Sequence, residues 1–278
     1  MGRIKTFILM FVLMLIFMKV GDLIGGAEGC RVAFWAALAM NFVGYFYSDK
    51  MVLKQYKARE VHQNNAPELY EIVGRLAQKA NLPMPKVYII DEKVPNAFAT
   101  GRNPSHAAVA ATTGLLELMN KQEIEGVLAH EMSHVKNYDI LTSSIAAVFA
   151  GAINMLANMG RYSTTSSRTS RRGGLGALIG AVLMPIAATI IRFSISRTRE
   201  YAADAGSAQL TEHPQWLISA LSKLEEYSKK AVMKNVTNET AHMFIINPLS
   251  GGNLAALFST HPSTKDRIER LENMTREL

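Results

Sequence analysis

The sequence predicts a mainly α-helical protein with a small β-sheet and two hydrophobic hairpins. Three observations carry that prediction. Hydrophobic residues make up 49% of the 278 positions, yet mean hydropathy is only +0.07, because they are gathered into long runs. Stretches between the runs repeat apolar residues at helical spacing. One short central stretch alternates around turn residues, as strands do.

Ile4 to Val20 is almost wholly Ile, Leu, Phe, Met and Val, and Val32 to Tyr47 follows after a short gap. Arg3 and Lys5 before the first run also suit a signal peptide. Ala27-Glu28-Gly29-Cys30 even resembles a lipoprotein cleavage site, but lacks the apolar residue three positions before the cysteine. Two runs in immediate succession read instead as a transmembrane hairpin over residues 1–48, with Tyr45, Phe46 and Tyr47 at the interface. Lys50, Lys54, Lys57 and Arg59, with Arg3 and Lys5, put the N-terminus and the chain after Tyr47 on the cytoplasmic side.

Residues 49–139 read as the first part of a catalytic domain. Pro67 to Ala80 is an amphipathic helix with Leu69, Ile72, Val73, Leu76 and Ala80 on one side. Lys86 to Asp91, Asn96 to Thr100 and His106 to Ala111 read as strands. Gly114 to Met119 starts a short helix, and Gln122 to Asp139 a longer one. A second hydrophobic hairpin is expected over 140–195, from the runs Ile140 to Met159 and Leu175 to Ile191. If both runs span, the loop with Arg161, Arg168, Arg171 and Arg172 lies outside the cytoplasm, against the positive-inside tendency, so full insertion stays open. Residues 196–278 read as the second part of the catalytic domain, with helices over Pro214 to Lys230 and Thr264 to Met274.

The formal charge of +7 fits juxtamembrane Lys and Arg facing anionic headgroups, so the lipid bilayer is an expected partner. No basic patch is interleaved with stacking aromatics, which argues against nucleic acid. Cys30 is the only cysteine, so intrachain disulfides and a cysteine-based zinc site are excluded.

His130-Glu131-Met132-Ser133-His134 carries the chemistry. On a helix, two imidazoles four residues apart share a face and can hold one Zn²⁺. Glu131 beside them can act as a base toward water on the metal. The same five residues also describe an ordinary polar helix face, so a third ligand decides. Between His134 and Glu200 there is no other Glu, His or Cys, and Asp139 falls about half a turn beyond the metal-facing stripe of a continuous helix. Glu200 is therefore the expected third ligand. Asp204, four residues on, can accept the N–H of a ligand histidine. His261, before Pro262 and six residues ahead of Arg267, either donates to the oxyanion or is simply exposed before a helix start. Asn96, Ala97, Phe98, Ala99 and Thr100 are expected to form an exposed edge strand that pairs with an extended polypeptide substrate.

Together with Ser196-Arg197-Thr198-Arg199-Glu200-Tyr201-Ala202-Ala203-Asp204, Asn96 to Pro104 and Thr260-His261-Pro262, this motif resembles the HtpX group of membrane zinc metalloproteases, relatives of the CAAX prenyl proteases. The resemblance covers nearly the whole chain. It implies an integral membrane, zincin-like metalloprotease in the bacterial plasma (inner) membrane, multi-pass, with its catalytic domain cytoplasmic. It further implies cleavage of damaged or misfolded membrane proteins, with one Zn²⁺ per chain on His130, His134 and Glu200 and with Glu131 as base. A zinc-binding membrane scaffold or holdase is the rival reading, and oligomeric state is left open. Deformylase-type chemistry would need a nearby Cys ligand, and Cys30 lies between two membrane runs.

Overall fold

The N-terminal hydrophobic runs form one long helical element, α1 (Gly2–Gln55), folded back on itself at Gly25 and Gly26. Gly26 has φ +58°, a conformation glycine adopts without a Cβ penalty. The two arms then pack closely. A side chain on Gly21 would collide with the Gly29 carbonyl and with Ala33. Farther along, the Asn41 side chain donates to the Met10 carbonyl at 3.3 Å, and Phe7 stacks on Tyr45. The expected hairpin is thus present as a pair of helices, whose outer surface exposes Phe7, Phe11, Leu15, Trp35, Phe42 and Phe46. Among the described residues, one helical stretch, Thr6–Leu23, is long and apolar enough to cross a membrane. Its 18 residues rise about 27 Å, close to the hydrocarbon thickness. The computed structural model describes residues 2–149, 196–230 and 262–276. The run Leu175 to Ile191, the loop Arg161 to Gly174 and the second half of the run Ile140 to Met159 lie outside them.

Four strands follow in a mixed sheet of order β1-β2-β4-β3: β1 (Arg59–Val61), β2 (Lys86–Ile90), β3 (Ala97–Gly101) and β4 (Ala107–Thr112). β2 runs parallel to β4, while β1 and β3 pair antiparallel with β2 and β4. Three of the strands match the sequence reading. β1 does not appear in it, because three residues are too few to show a period of two.

Helices cover both faces of this sheet. α2 (Pro67–Ala80) buries the expected stripe of Leu69, Ile72, Val73 and Leu76. It shares a core with α4 (Lys121–Lys136), α6 (Arg197–Thr211), α7 (Pro214–Lys230) and α8 (Thr264–Thr275), and with Val87, Ala97, Ala99, Val109 and Ala111 of the sheet. On the other face, Ile90, Phe98, Ala108 and Ala110 pack on Val52 and Leu53 of α1 and on Ala147 of α5 (Asp139–Phe149). The expected exposed edge strand is corrected here. β3 is indeed outermost, but Ala97, Phe98, Ala99 and Thr100 are all buried, because alternate side chains face two different helical layers. α3 (Thr113–Leu118) links the sheet to α4.

A second correction concerns the long helix. α4 stops at Lys136 instead of continuing to Asp139. Tyr138 takes φ +61°, turns the chain, and leaves Asp139 as the first residue of α5. α5 then packs Leu141, Ile145 and Phe149 against Leu9 and Leu13 of α1, beside a buried Thr6–Thr142 hydroxyl contact of 2.7 Å.

Candidate metal centre

α4 is held at its start by a capping box. Asn120 accepts the Glu123 N–H at 2.9 Å, and the Glu123 carboxylate accepts the Asn120 N–H at 2.9 Å. Such a cap contributes about 1 kcal/mol. Lys223 and Ser219 of α7 also bind Glu123, at 2.6 Å each, so the cap is tied to the C-terminal half of the chain. Three turns on, His130 and His134 face the same way, with their Nε2 atoms 3.2 Å apart.

The third group arrives because α6 lies very close to α4. Gly206 leaves no room for a Cβ, which would sit 2.8 Å from Ser133 Cβ. Ser207 bridges the helices by donating to the Gly126 carbonyl at 2.7 Å. Glu200 is thereby brought to 3.7 Å from His130 Nε2 and 3.6 Å from His134 Nε2. Ligands at about 2.0–2.1 Å from a tetrahedral zinc stand roughly 3.3 Å from one another. Separations of 3.2, 3.6 and 3.7 Å therefore fit one ion. The donor set, two imidazoles and a carboxylate, suits zinc as well.

Behind each imidazole stands a carboxylate, and behind each carboxylate an arginine. His130 Nδ1 is 2.9 Å from Asp204, which Arg267 of α8 grips with two bonds of 2.9 and 2.6 Å. His134 Nδ1 is 3.2 Å from Asp139, which Arg199 contacts at 3.3 Å. Both imidazoles can donate from Nδ1 and so present Nε2 to the metal. Burial tends to raise the Asp204 pKa, but the Arg267 charge overcomes it and the carboxyl ends below its ordinary value. Four carboxylates (Glu131, Glu200, Asp139, Asp204) outnumber two guanidiniums around the imidazoles, an acidic excess that a divalent cation would offset.

Glu131 is buried and accepts the Ala99 N–H of β3 at 3.0 Å. Burial pushes its carboxyl above the ordinary value, with the charges of His130 and His134 opposing. β3 is further held by Ser144 of α5, which lies 2.7 Å from the Thr100 hydroxyl and accepts the Gly101 N–H at 3.4 Å. The Asn96 N–H donates to Thr112 at 2.8 Å. Thus His130, Glu131, His134, Glu200 and Asp204 come together, with Ala99 beside them. His261 lies outside the described residues. Sequence reasoning noted Arg267 without giving it a partner, set Asp139 aside, and passed over Arg199.

A helical core around a small mixed sheet, with a His-Glu-x-x-His helix facing a glutamate, defines a metalloprotease. The chain belongs to peptidase family M48, whose model matches residues 63–275. It is 59% identical to a protease HtpX homolog of Campylobacter hominis, over the full length of both chains. A protease HtpX homolog of Campylobacter concisus is 58% identical over 99% of this chain and 97% of that protein. One from Sulfurovum sp. is 51% identical over 98% and 99%. The fold is similar to the crystal structure of S. mikatae Ste24p, with a TM-score of 0.53 at 16% identity, covering 97% of this chain and 65% of that one. The protein is a membrane-bound metalloprotease, and polypeptides are its substrates.

Proposed function

We propose that the protein is a zinc endopeptidase that cuts damaged or misfolded membrane proteins, with His130, His134 and Glu200 holding one Zn²⁺. The spacing of the two Nε2 atoms and the Glu200 carboxylate carries this reading. Bound zinc would supply Lewis acidity, bringing the pKa of a coordinated water to about 7 and polarising the scissile carbonyl. Glu131 is the base. It takes a proton from the attacking water and returns it to the leaving amine. Before substrate binds, the Ala99 N–H holds one oxygen of that carboxylate. Asp204 and Asp139 orient the two imidazoles.

The edge of β3 is the natural substrate platform. Its Ala99 and Gly101 N–H groups point away from β4, and a substrate strand lying along Asn96, Ala97, Phe98, Ala99 and Thr100 would compete with Glu131 and Ser144 for them. Such pairing reads backbone, which suits a protease that accepts many unfolded segments. His261 would steady the oxyanion.

The N-terminal hairpin 1–48 and the segment 140–195 anchor the protein in the bacterial plasma (inner) membrane as a multi-pass protein. Parts 49–139 and 196–278 together form the catalytic domain, on the cytoplasmic side by the positive-inside argument. The deciding experiment is Glu131→Gln. It should retain zinc and lower cleavage of a model membrane substrate by about 10²–10⁴-fold. Cleavage at the wild-type rate with zinc bound would refute the role of Glu131, and a zinc-loaded wild-type protein that cleaves nothing would return the scaffold reading.

A further inference from the structure

The two imidazoles are backed by similar relays with different surroundings. His130, Asp204 and Arg267 are sealed, with side chains 3%, 2% and 1% exposed. His134, Asp139 and Arg199 are closer to solvent, at 15%, 8% and 16%. The second relay also sits at a singular place in the chain. Asp139 is the first residue of α5, where the segment 140–195 begins. Arg199 is in the first turn of α6, just after that segment ends. One ion pair of 3.3 Å thus joins residues that flank the apolar segment in sequence, and its carboxylate is the one that contacts His134.

We propose that Asp139 and Arg199 form a latch that ties the start of α5 to the first turn of α6 and holds the His134 imidazole for the metal. Both are positioning residues, and the proposal rests on the zinc reading above. The local geometry is specific. The left-handed residue Tyr138 swings Asp139 back beneath His134, and a carboxylate at a helix start is favourable against the helix dipole. Arg199 directly precedes Glu200, so one turn of α6 delivers both a ligand and the cation of the latch. Glu200 and Glu131 already surround His134 with negative charge, and Arg199 keeps the Asp139 carboxylate in that acidic cluster. A shift of α5 against α6 would separate the orienting carboxylate from the ligand helix. The latch therefore couples the start of α5 to metal geometry.

The test uses the full chain in detergent, stripped of metal, with zinc affinity measured by competition with a chromophoric chelator. Asp139→Asn should weaken zinc binding by about 10–100-fold and shift the visible absorption of the cobalt-loaded protein. Arg199→Gln should weaken binding too, by roughly tenfold. Because Arg199 acts through Asp139, the double variant should bind no worse than Asp139→Asn alone. Arg199→Lys should recover most of the loss. If Arg199→Gln does not fold, Arg199→Lys carries the test: affinity no worse than Asp139→Asn supports the latch, and worse affinity overturns it. Asp139→Asn binding zinc within about twofold of wild type, or full additivity in the double variant, also overturns it. A wild-type protein that binds no zinc would instead remove the zinc reading itself.

Discussion

At His134, the proposed zinc ion would compete with protons for one imidazole. Burial alone lowers its pKa, but the Asp139 hydrogen bond and the charges of Glu200 and Glu131 outweigh burial and push it from 6.5 up to about 9. In the metal-free fold the protonated ring is stabilising. That contribution is complete below the unfolded value of 6.5 and is lost as pH rises through about 9. Zinc requires the neutral ring, so apparent zinc affinity should climb about tenfold per pH unit toward pH 9. Chelator competition across that window checks this, and a flat affinity would contradict it. Arg267 makes a different demand. Its guanidinium is almost fully buried and offsets Asp204. Arg267→Met should destabilise the protein by about 3–5 kcal/mol in denaturant unfolding, since it leaves the buried Asp204 carboxylate without its arginine counter-charge.

Helix spacing decides whether the ligand set exists at all. α4 supplies two imidazoles by simple periodicity, but Glu200 meets them because Gly206 lets α6 close on Ser133 of α4 and Ser207 bonds the Gly126 carbonyl. Gly206→Val would push Ser133 away and part α4 from α6. It should cost about 1–3 kcal/mol of stability and weaken zinc binding together. Equal zinc affinity in a destabilised Gly206→Val protein would show that the ligands tolerate the shift. The glycines themselves are visible in the sequence, yet their meaning is not, because a glycine at a helix crossing looks like any other helical glycine. The break after Lys136 was equally hidden. Asn137 and Tyr138 are unremarkable residues, and only the left-handed turn shows that Asp139 returns to the site.

Across the whole molecule, the metal site is also a structural tie. His130 and His134 come before the segment 140–195, and Glu200 and Arg267 after it, so the proposed zinc would link the two parts of the chain. Zinc present at 100 times its Kd would stabilise the fold by about 2.7 kcal/mol. Stripping it with a chelator should therefore lower Tm by roughly 5–10 °C, measured with the protein in detergent. An unchanged Tm in a protein proven to have lost its zinc would argue against the tie. The sheet plays its part at the same scale. Its Ala-rich strands β3 and β4 are thin enough to sit between the α2–α4 layer and the foot of the N-terminal hairpin.

By itself the sequence determined the His-Glu-x-x-His helix, its partner Glu200 with Asp204 on the same face, the helical hairpin before them and the amphipathic helix Pro67–Ala80. Each of these is written in spacing along the chain, where a helix or a paired run repeats a short pattern. Tertiary structure alone decided the arginines behind the carboxylates, the burial of β3 and the return of Asp139 to His134. Arg199 and Arg267 lie 60 and 63 residues from the carboxylates they neutralise, and no local period connects such pairs. β3 is buried because two helical layers close on it from distant parts of the chain, a property of packing that no strand carries in its own residues.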